Sequence, residues 1–114
     1  MRYKQLEVYQ KSYELALSIY RYTESLPREE VYGITSQIRR ASISIPLNIA
    51  EGYGKQAGET EFKRYVSIAK GSCNEVMVII EFLRDLKLME KKDSELYLKR
   101  YEEVEKMLYG LMKK

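Results

Sequence analysis

One heptad constrains this chain more than any other feature. Phe62, Val66, Ala69, Cys73, Val76, Ile80 and Leu83 recur at alternating steps of four and three. Only a helix places such residues along one line, so the spacing predicts a helix over residues 59–88, the longest of the chain. Three further stripes repeat the pattern. Leu6, Tyr9, Tyr13, Ala16 and Tyr20 predict a first helix over about residues 4–25, closed by Pro27. Ile34, Ile38, Ala41, Ile45 and Ile49 predict a second helix, and Tyr97, Tyr101, Val104, Leu108 and Leu111 a fourth.

The connections are short and polar: Pro27 to Gly33, the glycines 52, 54 and 58 with Lys55 and Gln56, and Lys91 to Ser94 with Asp93 or Ser94 as N-cap. Short connections join antiparallel neighbours, and heptad spacing sets a shallow crossing angle. The expected fold is therefore all-α: one antiparallel up-down-up-down four-helix bundle over residues 1–114. With 114 residues and 13.5 kDa the folded surface should be ~6,500 Å², enough burial for a core without staples.

The second helix departs from a plain bundle. It carries a second apolar stripe, Ile43, Leu47 and Ala50, which implies burial on two sides. Between the stripes runs a polar line of Gln37, Arg40, Ser44, Asn48 and Glu51. That line is either a solvated face or a hydrogen-bond network between helices or subunits, with Lys70, Asn74 and Glu75 on the third helix as partners. An Arg40–Glu75 pair is the leading candidate. Pro46 removes an amide donor and predicts a kink. Gly71-Ser72 inside the third helix is best explained by close approach of another backbone. Eleven tyrosines against two phenylalanines suit positions with one greasy side and one wet edge, such as a core rim or a subunit interface. Stacking of unpaired RNA bases would fall on Tyr53 or Tyr65.

The absence of histidine, with Cys73 alone of its kind, rules out a Ser-His-Asp triad, a Cys-His pair and a multi-ligand zinc site. Cys73 sits on the apolar heptad as an inert small hydrophobe. Glu51 and Glu75 could in principle hold a divalent metal, but di-iron bundles pair glutamates with a Glu-x-x-His motif that this chain lacks. No catalytic residue, metal ligand, cofactor or small-molecule substrate is expected. The longest aliphatic run is Val76 to Ile80, too short to cross a bilayer, and the amphipathic N-terminus lacks an apolar signal region, so a cytoplasmic protein is expected.

Charge is unevenly placed. Residues 1–30 hold five basic and five acidic side chains, and residues 75–114 hold nine of each. The net charge of +3 lies entirely in residues 31–74, where Arg39, Arg40, Lys55, Lys63, Arg64 and Lys70 face Glu51, Glu59 and Glu61. Arg39, Lys55, Lys63, Arg64 and Lys70 are the candidate phosphate contacts, with Arg40 reserved for its pairing.

The string Tyr32-Gly33-Ile34-Thr35-Ser36-Gln37-Ile38-Arg39-Arg40-Ala41, with Ser44-Ile45-Pro46 and Asn48-Ile49-Ala50-Glu51-Gly52, resembles one bacterial family: the four-helix-bundle proteins encoded in intervening sequences of 23S rRNA genes. Ile68-Ala69-Lys70-Gly71-Ser72 with Glu75, and Met107-Leu108-Tyr109-Gly110-Leu111, extend the resemblance over nearly the whole chain. Tyr9 stands where relatives often carry tryptophan. The resemblance implies a homopentamer related to accessory proteins of diversity-generating retroelements, which are basic pentamers engaging a reverse transcriptase and nucleic acid. It implies no catalytic role for Gln37, Arg39, Arg40, Asn48, Glu51 or Glu75. The expected function is therefore a non-enzymatic oligomer binding RNA or a ribonucleoprotein. A scaffold without nucleic-acid contact is the alternative, and a metal-dependent enzyme the remote one.

Overall fold

The computed structural model describes residues 2–54 and 58–113. Among these, every regular element is helical: a 3₁₀ turn at Arg2–Gln5, then α1 (Glu7–Thr23), two short turns at Arg28–Glu30 and Val31–Thr35, α2 (Ser36–Gly54), α3 (Glu59–Asp85) and α4 (Lys91–Lys113). Each helix packs on its sequence neighbour, and α1 closes the ring against α4. Contacts fix the directions. Ser44 meets Ser72 while Gly52 meets Tyr65, and Cys73 meets Tyr101 while Lys70 meets Tyr109. Numbers rise on one helix as they fall on the next, so α2, α3 and α4 run antiparallel in turn. Ser18 against Tyr97 and Tyr22 against Leu88 give the same sense for α1 and α4.

The core lies where the heptads of α3 and α4 put it. Val66, Ala69, Cys73, Val76, Ile80 and Leu83 interleave with Tyr101, Val104 and Leu108 and with Ile38, Ala41, Ile45 and Ile49 of α2. On α1 the expected stripe is displaced. Of that stripe Ala16 is buried and Leu6 and Tyr9 pack against the core, but Tyr13 and Tyr20 are exposed, and the buried line is Val8, Ser12, Leu15, Ile19 and Thr23. Both lines have helical spacing, so periodicity alone did not separate them. The structure chooses the line that seats aliphatic and hydroxyl groups, whose serine and threonine hydroxyls are satisfied by Tyr9, Ile19 and Tyr20 carbonyls of the same helix.

Boundaries also shift. The α3–α4 connection is Leu86 to Glu90, and Lys91 to Ser94 form the first turn of α4. The stop signal is Lys87, a non-glycine residue at φ +63°. Its N–H bonds the Arg84 carbonyl at 3.0 Å and the Leu88 N–H bonds the Leu83 carbonyl at 2.8 Å, the Schellman pattern usually served by glycine. At the other end of α3 a glycine supplies the positive φ: Gly58, the residue before the helix, has φ +93°. Helix α2 runs through Pro46, which is buried. Close helix contact occurs at Gly52, where a methyl group would sit 3.3 Å from Tyr65 Cβ, and not at Gly71, which is exposed with open space beside it.

Candidate interaction surface

The polar line of α2 is not buried within one chain. Gln37, Arg40 and Glu51 are exposed, as is Glu75 on α3, and no ion pair joins Arg40 to Glu75. The expected pairing thus fails in the single chain, because both charges stand on the outer side of their helices, where hydration outweighs a pairing across the groove. Only the middle of the line is a network. Ser72 Oγ donates to Ser44 Oγ at 2.8 Å, and Asn48 Nδ2 donates to the Ser44 carbonyl at 2.8 Å and to its hydroxyl at 3.0 Å. These half-buried groups tie α2 to α3.

The second apolar stripe of α2 is only partly covered, with Ile43 and Ala50 half-buried. Leu47 is 58% exposed, and α2 is flanked by two grooves, of which Leu47 lines the one toward α1. On one side Tyr3, Tyr9, Tyr13, Leu17 and Tyr20 face Ile43, Leu47 and Ala50 across a groove of about 510 Å³. On the other, Ile34 and Gln37 face Glu75, Val78, Ile79 and Phe82 across one of about 520 Å³. Tyr3, Tyr9 and Tyr13 form a ladder of rings with centroids 5.0 and 5.9 Å apart. Burial, then the neighbouring Tyr3 and Tyr13 phenols, push the Tyr9 phenol above its usual range. The chain exposes 7,401 Å², more than the ~6,500 Å² expected for its mass, as an elongated body of 43 × 24 × 20 Å would. Tyr13, Leu17, Tyr20, Leu47, Val78 and Phe82 contribute apolar area to that surface on the one side centred on α2.

The candidate phosphate contacts do not converge. Arg39 reaches back to the end of α1, donating from Nε to Thr23 Oγ1 at 2.8 Å and from Nη2 to the Tyr20 carbonyl at 3.3 Å, with its guanidinium 4.6 Å from the Tyr20 ring centroid. Sequence reasoning reserved Arg40 for an internal role and freed Arg39; the structure reverses them. Lys55 lies outside the described residues. Lys63 pairs with Glu59 at 3.2 Å, and Arg64 holds both oxygens of Glu61 at 2.9 and 3.2 Å. These two stand near the C-terminal end of α2, about 20 Å along the bundle from Arg39. Lys70 faces α4, with its ammonium 5.4 Å from the Tyr109 ring centroid. The Lys113 ammonium lies 5.0 Å from the same ring centroid, a cluster that the sequence did not single out although the i, i+4 spacing of Tyr109 and Lys113 was visible.

Cys73 is buried, and burial pushes its thiol up to about 12, so it holds no thiolate near neutral pH. Among the described residues no three His, Cys, Asp or Glu side chains gather as a metal site, and no helix is long and apolar enough to cross a membrane.

A family model described as "23S rRNA-intervening sequence protein" matches residues 4–110. Among solved structures, a protein of unknown function from the S23 ribosomal protein family of Bacteroides thetaiotaomicron VPI-5482 superposes with a TM-score of 0.83 at 25% identity, covering 94% of this chain and 99% of that one. No curated protein matches.

Proposed function

Since the chain belongs to the 23S rRNA-intervening sequence protein family, we propose that it is a non-enzymatic bundle that self-assembles through its α2 side and binds RNA as an oligomer. The observation that carries the assembly is the pair of apolar grooves along α2, one against α1 with Leu47 in its wall and one against α3, beside the exposed Leu47, Val78 and Phe82. The two grooves differ. One presents tyrosine hydroxyls and the other a carboxylate with an amide, so they suit head-to-tail contact, which closes as a ring; a ring of five is the form that the family resemblance implies.

RNA binding draws its support from charge. The excess of +3 lies within residues 31–74, and five copies would carry +15. The scaffold alternative is favoured by the engagement of Arg39, Lys63 and Arg64 inside the chain. Two measurements decide. Sedimentation equilibrium should show a concentration-dependent oligomer, and a monomer at every concentration overturns the assembly. Titration of the oligomer with RNA should give a log–log salt slope near −4 to −5 for about six phosphate contacts. No affinity at ~50 mM salt leaves the scaffold.

A further inference from the structure

The groove between α3 and α4 holds a cluster that the assembly does not use. Tyr109 is 52% exposed, and two ammonium groups stand against its ring: Lys113 at 5.0 Å and Lys70 at 5.4 Å from the centroid. Neither lysine has a carboxylate within ion-pair distance among the described residues. Lys63 lies seven residues before Lys70, two helical turns or about 10.5 Å along the same flank of α3. Acidic neighbours are Glu59, which engages Lys63, and the half-buried Glu105, one turn before Tyr109 on α4.

We propose that this α3–α4 strip, Lys70, Tyr109 and Lys113, is the contact surface for single-stranded RNA. The proposal rests on the RNA reading above and gives it an address. A strand offers what the strip lacks: a base face to lie on the tyrosine ring, and phosphates to replace the ring as partner of the two ammoniums. A duplex keeps its bases stacked inside and could use only the charges. Position supports the same assignment. Val78, Phe82 and Glu75 occupy the flank of α3 turned toward α2, whereas Lys70 occupies the flank turned toward α4, so covering the α2 side leaves the strip open. The strip therefore meets solvent in the assembled form, and ring closure would present one copy per subunit.

The test is fluorescence anisotropy of a labelled twelve-nucleotide single-stranded RNA against the full-length protein, from ~50 to 200 mM salt. The double variant K70E/K113E should bind at least tenfold more weakly and flatten the log–log salt slope by about 1.4. Y109A should lose about tenfold at an unchanged slope, while Y109F retains wild-type affinity. K99E, which alters an exposed lysine of α4 outside the strip, is the charge control. Sedimentation of each variant establishes that folding and oligomer size are unchanged. If the wild type binds and K70E/K113E binds equally well, or K99E loses as much, the strip is refuted while RNA binding stands. Failure of Y109F to retain affinity, or equal competition by a duplex of the same length, refutes the stacking role. A wild type that binds no RNA removes the strip and the RNA reading together.

Discussion

The Arg39 guanidinium lies 4.6 Å from the Tyr20 ring centroid while its Nε donates to Thr23 Oγ1 at 2.8 Å, so one side chain of α2 clasps the last turn of α1. A cation at a helix C-terminus meets the negative end of the dipole and the unsatisfied carbonyls there. Replacing Arg39 by alanine should therefore lower stability by about 1–3 kcal/mol, read as a shift in the urea midpoint at constant m. RNA affinity of the folded variant should hardly change. A loss of affinity without a loss of stability would return Arg39 to the phosphate contacts.

Leu47 is exposed in the single chain, and changing it should leave the monomer's helicity intact. L47D places a charge in the wall of the α1–α2 groove that assembly must bury, so the oligomer should dissociate, as seen by sedimentation. If L47D remains assembled at wild-type affinity, the α2 side is not the interface.

Alkaline pH should unfold the chain earlier than surface chemistry alone dictates. Burial pushes the Cys73 thiol from 9.0 up to about 12 and raises the fully buried Tyr101 phenol above its ordinary 10.0. Both groups hold their protons more tightly folded than unfolded. Their contribution is thus complete below pH 9 and is lost as pH rises, Cys73 between about 9 and 12 and Tyr101 above 10, at up to about 1.4 kcal/mol per pH unit for each group. C73A should flatten the stability profile between pH 9 and 10, as followed by urea denaturation at each pH; an unchanged profile there would refute the thiol's part.

The Tyr101 hydroxyl is buried without a hydrogen-bond partner. An unsatisfied buried hydroxyl costs about 1–3 kcal/mol, so Y101F, which keeps the ring, should be neutral or stabilising. A loss above about 1 kcal/mol in thermal or urea unfolding would reveal a partner for that oxygen.

Lys87 holds φ +63° to end α3, a conformation that disfavours a Cβ. K87G should raise stability by about 0.5–1 kcal/mol, provided that relief of the left-handed strain exceeds the added freedom of the unfolded chain. Unchanged or lowered stability in urea would place the α3–α4 stop in the Leu83 and Arg84 carbonyl bonds alone.

The helices were legible in the chain's apolar period, a local property, and so were the core faces of α3 and α4, where a single apolar line runs unopposed. The sequence also excluded histidine-based chemistry outright. On α1 two lines compete, Val8-Leu15-Ile19 and Tyr9-Tyr13-Tyr20, and only packing chose between them: the compact aliphatic line joins the core, leaving Tyr9 half-buried at its edge and Tyr13 and Tyr20 outward beside Ile43 and Leu47. The same holds for charge. Composition could place the excess between residues 31 and 74, but whether Arg39 or Arg40 meets solvent depends on which helix end lies alongside. The Lys70–Tyr109–Lys113 cluster joins residues that are far apart in the chain, and antiparallel packing alone brings α3 and α4 into the register that creates it.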